Sequence, residues 1–497
     1  MLTRLQVKGF KNLVDVDVRF GPFTCVAGVN GAGKSNLFDA IRFLSLLADK
    51  TLTEAALLVR AEGGSASDMR SIFHRVGDEY DDKMSFEAEM IVPLKTVDDL
   101  GQTAQASITF LRYSLELGYR RDPRNSTSLG SMEILKEELS HLKKGEAGKN
   151  LLFPHSRRKW RDTVVVGARR SPHFISTEGY GETRIIKLHQ DQIKGRTLSR
   201  PATNLPRTVL SVANAAESPT VLCAKREMQS WRILQLEPSA LRKPDEINAS
   251  THLSINGEHL PANLYRLAQS AFLDMENKKP VVDPEIVYSQ VSNKLATLIG
   301  DVNKVRVDKD DKREILTLQV TGRDGTDHPA RSLSDGTLRF LALSVLELDV
   351  TAQGLICLEE PENGIHPERI PAMLQLLRDI ATDADEPVDD TNPLRQVIVN
   401  THSPVVVMEV PEASLLVAEI KDDVREGQSF KKVRFSCLPN TWRTKAPEKP
   451  PIVSKGRLMV YLNPASLLNP INERRPRRVA DRPDLQMLLS FGEPSHG

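Results

Sequence analysis

The sequence predicts an α/β fold, with a mixed β-sheet around a glycine-loop core. The head is split in sequence, both ends of the chain contributing to it, and a largely helical lobe is inserted between. Three observations predict this. The first residues alternate apolar and polar and run into a glycine-rich loop followed by a helical pattern. Near residue 355 a short apolar run ends in two carboxylates, as a buried strand does when it stops at a polar site. Between these, from about 130 to 300, helical periodicity replaces most of the strand-like alternation. The boundaries that follow are 1–95 and 305–440 for the two parts of the head, 96–304 for the inserted lobe, and 441–497 for a Pro- and Arg-rich extension.

Taken in order, Leu5 and Val7, then Leu13, Val14, Val16, Val18 and Phe20, read as two antiparallel strands turning at residues 9–12. A third short strand covers 23–26. The helix after the loop runs from about 34 to 48, with Leu37, Ile41, Leu44 and Leu47 on one face. Strands are expected at 84–92 and 106–117. Residues 132–144 read as a helix with charged pairs; its heptad pattern lasts about two repeats, too few for a coiled-coil arm. Helices are expected at 222–234, 260–275, 284–298, 338–348 and 367–382. Strands are expected at 305–307, 315–320, 355–358, 397–399, 415–417 and 433–435.

Composition limits the functional classes. The 497 residues carry a net charge of +1, with 40% hydrophobic and 27% charged residues. Nucleic acid would therefore be met by a local patch, not by an overall basic surface. No apolar run approaches the roughly 18–20 residues of a membrane helix. The N-terminus enters a strand pattern directly, so no signal peptide is expected. Cys25, Cys223, Cys357 and Cys437 are too far apart for a metal or disulfide pattern, which fits a reduced cytoplasmic protein.

The chemistry begins at Gly28-Val29-Asn30-Gly31-Ala32-Gly33-Lys34-Ser35, a G-x-x-x-x-G-K-S loop between a strand and a helix. Its glycines let backbone N–H groups turn around phosphate oxygens, and the helix N-terminus adds partial positive charge. Lys34 would reach the β- and γ-phosphates of ATP, and the Ser35 hydroxyl would ligate Mg²⁺. The run 354–358 ends in Glu359 and Glu360. Glu359 is placed to hold Mg²⁺, and Glu360 to orient and deprotonate the attacking water. His402 follows the apolar run 397–399 and, with a phosphate loop upstream, reads as a sensor of the γ-phosphate. Ser332-Leu333-Ser334-Asp335-Gly336-Thr337 precedes a helix by one step, about 20 residues before the acidic strand; alone it is an N-cap with a small polar turn.

With these motifs in this order the chain resembles the ABC ATPase superfamily, in its RecF/SMC-like branch. The matching residues are Gly9-Phe10-Lys11-Asn12-Leu13, the phosphate loop running into Asn36 and Asp39-Ala40-Ile41, and Leu333 to Thr337. They continue with Glu359-Glu360-Pro361-Glu362-Asn363-Gly364-Ile365-His366-Pro367 and Thr401-His402-Ser403-Pro404. Within the branch it looks similar to the ATPases of bacterial anti-phage systems, the overcoming-lysogenization-defect (OLD), Septu and PARIS kinds. The resemblance covers about residues 1–95 and 305–420. It implies an ABC ATPase head working as a homodimer, or higher homo-oligomer, with ATP sandwiched between heads. Ser334, Asp335 and Gly336 would then meet ATP in trans, opposite Gly28, Asn30, Gly31, Gly33, Lys34, Ser35 and Asn36. The chain departs from the family with Glu359 where Asp is usual, Asp335 in place of the first signature glycine, and His366 where transporters have Asp. A Q-loop glutamine is assigned to no residue.

The implied function is slow ATP hydrolysis that gates a separate effector, a nuclease or toxin, in anti-phage defence, with no nuclease activity of the chain's own. A RecF-like DNA-repair ATPase and a non-catalytic nucleotide-gated scaffold are the alternatives. Arg157, Arg158, Lys159 and Arg161, beside Trp160, fit either a phosphate-backbone contact or a solvated, acid-paired face. Arg169 and Arg170, and the arginines of 474–482, pose the same choice.

Overall fold

The computed structural model describes residues 1–59, 69–120, 130–167, 173–191, 197–270 and 283–462. Two large sheets organise it. One has eight strands, all antiparallel, in the order Leu198–Pro201, Ile185–Leu188, His173–Glu178, Ser131–His141, Phe110–Arg120, Lys83–Ile91, Leu2–Phe10, Leu13–Arg19. The other has six, in the order Arg232–Leu234, Gly354–Glu359, Arg395–Thr401, Phe23–Ala27, Leu415–Arg425, Gln428–Cys437. Its first five strands are mutually parallel and the last is antiparallel.

The phosphate-loop helix, Lys34–Leu47, lies between the sheets. Its buried residues include not only Leu37, Ile41, Leu44 and Leu47 but also Phe38 and Phe43, because apolar surface meets it from more than one side. Phe43 stacks on Phe10 (5.9 Å between ring centroids) and packs against Phe86 (5.6 Å), which joins the helix to the antiparallel sheet. Alternation along the central strands divides the core. Val26, Leu355, Cys357 and Ile398 face the phosphate-loop helix; Cys25, Ala27, Ile356, Leu358, Val397 and Val399 face the helices Asp335–Leu348 and Ile370–Ile380. The continuous apolar runs 355–358 and 397–399 are what a parallel sheet covered on both faces demands. A third cluster gathers Phe153, Trp160 and Trp442.

The α/β class, and a sheet drawing strands from both ends of the chain, are as expected; one element differs in kind. Residues 132–144 do not form a helix. Ser131–His141 is a strand paired with Phe110–Arg120, Ile134 opposite Leu117 and Leu139 opposite Tyr113. A register shift between Ile134 and Lys136 breaks the period of two there. The apolar spacing 135, 139, 142 then imitates a helix. Lys136 and Glu138, which read as helical charges, pair across one strand face at 3.0 Å.

The middle segment is accordingly sheet in its first half and helical in its second, where Pro219–Gln229, Leu260–Ser270 and Glu285–Ile299 lie. The helix expected over 222–234 ends at Gln229, and its last residues become the strand Arg232–Leu234 on the edge of the parallel sheet. The part of the expected helix 260–275 beyond residue 270, Arg169 and Arg170, and 463–497 of the C-terminal extension lie outside the described residues. All four cysteines are buried and free. Among the described residues no helix is long and apolar enough to cross a membrane.

Candidate active site

Parallel pairing brings the ends of four strands to one edge. Ala27 lies beside Thr401, Glu359 beside Asn400, and Leu234 beside Leu358. The residues that leave those strands therefore meet outside the carboxyl edge of the sheet, where ligands of open α/β folds bind.

The phosphate loop leaves Phe23–Ala27. Gly33 sits at φ 92°, and a Cβ there would lie 2.5 Å from the Asn12 amide. Asn12 in turn accepts a hydrogen bond from Asn36 Nδ2 (2.9 Å), and Lys11 pairs with Asp39 at 2.9 Å with both side chains buried. The turn at 9–12 thus clamps the first turns of the helix, which explains why the loop and the opening motif occur together. Lys34 Nζ donates to the carbonyls of Gly28 (2.7 Å) and Val29 (2.9 Å). Burial pulls its ammonium below the ordinary lysine value, against the charges of Glu360, Glu362 and Glu359. Asn30 and Gly31 are exposed at the loop tip, and Ser35 is half-buried at the helix start.

Glu360 stands at φ 44°, in left-handed backbone that a non-glycine residue occupies at a cost. Its own N–H donates to Asn400 Oδ1 (2.9 Å), which fixes the bend. One carboxylate oxygen contacts His402 Nδ1 at 2.7 Å; the other accepts from Asn363 Nδ2 at 2.9 Å. Burial pushes this carboxyl up, but the bonds from Asn363 and His402 and the charge of Lys34 outweigh it and hold it below the usual range. An ionised carboxylate only accepts, so the His402 proton lies on Nδ1. Glu362, buried beneath, accepts from the Thr401 hydroxyl; burial raises it, and its Oε2 has no hydrogen-bond partner among the described residues.

Glu359 Oε2 accepts from Gln235 Nε2 at 2.7 Å. Sequence reading missed Gln235. The signal was the short apolar pair Ile233-Leu234 ending in a polar residue, hidden because the preceding helical pattern runs into it. A hydroxyl (Ser35), a carboxylate (Glu359) and an amide (Gln235) are oxygen donors that suit Mg²⁺, an ion that keeps several of its positions for water and phosphate. Gly28 packs so closely on the parallel sheet that an added Cβ would lie 2.6 Å from the Ala418 carbonyl, while one on Gly31 at the loop tip would meet nothing within 4 Å. The donor set fits ATP with Mg²⁺.

Of the remaining expected residues, Ser334, Asp335 and Lys159 hydrogen-bond to partners outside this cluster. Ser334 caps the helix Asp335–Leu348, accepting from the Thr337 N–H at 3.2 Å. Arg242 holds the turn by donating to the carbonyl of Leu333 (3.0 Å) and to Asp335 Oδ1 (2.5 Å). Ser334 and Asp335 are exposed. In the basic stretch Arg157 and Arg158 are exposed, while Lys159 pairs with Glu386 at 2.8 Å. Trp160 is fully buried in the third core cluster, so it is no platform for a base.

Known proteins match in pieces. A family model described as "AAA domain, putative AbiEii toxin, Type IV TA system" matches residues 228–409, which include Gln235, Ser334, Glu359, Glu360 and His402. A second, described as "AAA domain", matches residues 4–55, which include the phosphate loop. Over 41 residues, 8% of this chain and 8% of the relative, the sequence is 54% identical to an OLD nuclease of Thermus scotoductus. Solved structures with a similar layout include an Smc head bound to the C-winged helix domain of ScpA (TM-score 0.42, 14% identity, 88% of this chain and 98% of that one). Another is the SMC head domain from Thermotoga maritima (TM-score 0.35, 11% identity, 86% of this chain and 97% of that one).

Proposed function

We propose that this ATPase of the AAA and SMC-like type, similar over a short stretch to an OLD nuclease, is an ATP-gated switch that closes as a dimer of heads and controls a separate effector in anti-phage defence. The observation that carries the hydrolytic reading is Glu360, held ionised between His402 and Asn363 at the same sheet edge as the phosphate loop. Lys34 exchanges the carbonyls of Gly28 and Val29 for phosphate oxygens. Ser35 and Glu359, steadied by Gln235, hold Mg²⁺, which when bound neutralises phosphate charge. Glu360 orients the attacking water and accepts its proton. His402 keeps Glu360 in place through Nδ1–H, and to sense the γ-phosphate its Nε2 must carry a proton as well.

Exposure of Ser334 and Asp335 at a helix N-terminus supports a second half-site, offered to the ATP of another copy together with Gly336. Closing then depends on ATP, and the effector reads the closed state. The defence part draws on the names of the matches, an OLD nuclease and a toxin of a type IV toxin–antitoxin system. The effector is a nuclease or toxin on another chain, and Arg157 and Arg158 are the nucleic-acid contact if one exists on this surface.

The test is a pull-down of tagged Glu360→Gln protein with ATP from its own host, with partners identified by mass spectrometry. A stoichiometric nuclease or toxin that is lost with Lys34→Ala supports the switch. Recovery of replication or repair factors alone replaces it with a RecF-like role. An assay of the isolated protein on DNA checks the absence of a nuclease of its own.

A further inference from the structure

Arg339 has no part in the reading above. It lies on the helix Asp335–Leu348, one turn beyond Asp335, and its guanidinium donates through Nη1 to the backbone carbonyl of Asn363. It is only partly exposed, and its Nε is buried with no hydrogen-bond partner among the described residues. A guanidinium placed there loses hydration, and one hydrogen bond to a neutral carbonyl with the nearby charges of Asp335 and Glu362 offsets that loss only in part. Such an arrangement is an expensive way to hold a loop, which directs attention to what the loop holds.

Asn363 is the residue whose Nδ2 donates to Glu360 Oε2 at 2.9 Å, and its own N–H donates to the Glu360 carbonyl at 3.1 Å. The turn from 360 to 363 is thereby closed on itself, and Arg339 fixes its far end. The same turn touches the start of the Arg339 helix. A Cβ on Gly336 would lie 3.1 Å from the Gly364 carbonyl, and one on Gly364 would lie 3.4 Å from the Asp335 Cβ. A side chain on Gly336 would crowd the Gly364 carbonyl, and Gly364 at φ 75° occupies backbone that favours glycine. A shift of the helix carrying Ser334 therefore moves the turn carrying Asn363.

We propose that Arg339 is a positioning residue for hydrolysis: through the Asn363 carbonyl it sets the amide that orients Glu360, and it ties the orientation of that carboxylate to the placement of the Ser334–Gly336 turn of the same chain. In a dimer built as proposed above, on which this rests, each chain's turn would serve the partner's ATP while its Glu360 serves its own. Seating of one ATP is then transmitted to the carboxylate at the other site. His402 supports one oxygen of Glu360 and Asn363 the other, so loss of Arg339 leaves one support intact. The expected defect is partial and lies in turnover.

The test is steady-state ATPase of the full chain, with ATP affinity measured by calorimetry and folding by thermal melting. The variants are Arg339→Ala, Arg339→Lys, Asn363→Ala and the double Arg339→Ala/Asn363→Ala. Arg339→Ala is expected to lower kcat roughly 10- to 100-fold, as misplacement of a reacting group does. KM and calorimetric affinity for ATP stay near those of the wild type. The double variant is expected to lose no more than Asn363→Ala alone, and Arg339→Lys to recover part of kcat. A loss of ATP affinity that matches the fall in kcat, a loss that follows the melting temperature, or additive single effects would overturn the proposal. Wild-type protein whose turnover matches Lys34→Ala would remove the ATPase reading itself, and this proposal with it.

Discussion

In the proposed reaction the chemistry centres on Glu360, whose two oxygens and own N–H are fixed by three different groups: His402, Asn363 and Asn400. Glu360→Gln keeps the shape and the ATP affinity but removes the base, so turnover should fall by about 10²–10⁴. Equal turnover in the variant, measured by phosphate release, would show that another group takes the proton. The pH dependence follows from the direction of its shift. The carboxylate is held below its ordinary value, so it stays ionised through the neutral range, and activity is lost only as pH falls through that depressed value. Gln235→Ala should act on the metal and spare the base. The Mg²⁺ concentration for half-maximal turnover should rise roughly 10-fold, the usual cost of losing a group that orients a ligand. A magnesium titration of both proteins decides it. Lys34, Ser35, Glu360 and His402 were legible in the sequence because each sits at a fixed offset from a loop or strand end. Gln235 and Asn363 were not, because their roles come from strands and turns distant in sequence that the fold brings alongside.

At the scale of the element, the phosphate loop and the hairpin turn before it form one unit. Gly33→Ala places a Cβ where the Asn12 amide stands and strains a left-handed residue at φ 92°. The backbone term alone is roughly 1–2 kcal/mol, and displacement of Asn12 also frees Asn36. ATP affinity measured by calorimetry should fall together with the melting temperature. Loss of affinity at constant stability would mean that Asn12 adapts. The strand Ser131–His141 shows where local pattern misleads. Its register shift near Leu135 and its buried Glu137 erase the alternation that marks a strand, and the partner strand Phe110–Arg120 supplies what local sequence lacks. The helices at 34–47, 285–299 and 335–348 kept their type because an amphipathic or buried run is a local property.

For the whole molecule, Glu137 joins the antiparallel sheet to the phosphate-loop helix. Fully buried, it accepts from the N–H groups of Val209 (2.8 Å) and Leu210 (2.9 Å) and from the Tyr113 hydroxyl (3.2 Å). Thr208 beside them donates to the carbonyl of Leu47 at 3.0 Å, at the end of that helix. Burial pushes the Glu137 carboxyl up to about 7. The unfolded chain loses this proton near the ordinary value of 4.5 and the folded chain keeps it to about 7. Between those values the folded state binds more protons, so this group makes stability fall as pH rises, by up to about 1.4 kcal/mol per pH unit. Above that window the contribution is level. Urea unfolding at several pH values should show the slope in wild type and a flatter one in Glu137→Gln. Parallel slopes would assign the pH dependence elsewhere.

The α/β class, the phosphate loop, the acidic strand end, and the candidacy of His402 and of the turn at 334–337 could be read locally, since each is written in a few consecutive residues whose spacing carries the pattern. Tertiary structure alone decided that residues 131–141 are a strand, that Gln235 supports Glu359, that Trp160 is core, and that Arg339 reaches the Asn363 carbonyl. These depend on partners tens to hundreds of residues away, and a hydrogen bond or a buried face belongs to two segments at once, so neither segment alone specifies it.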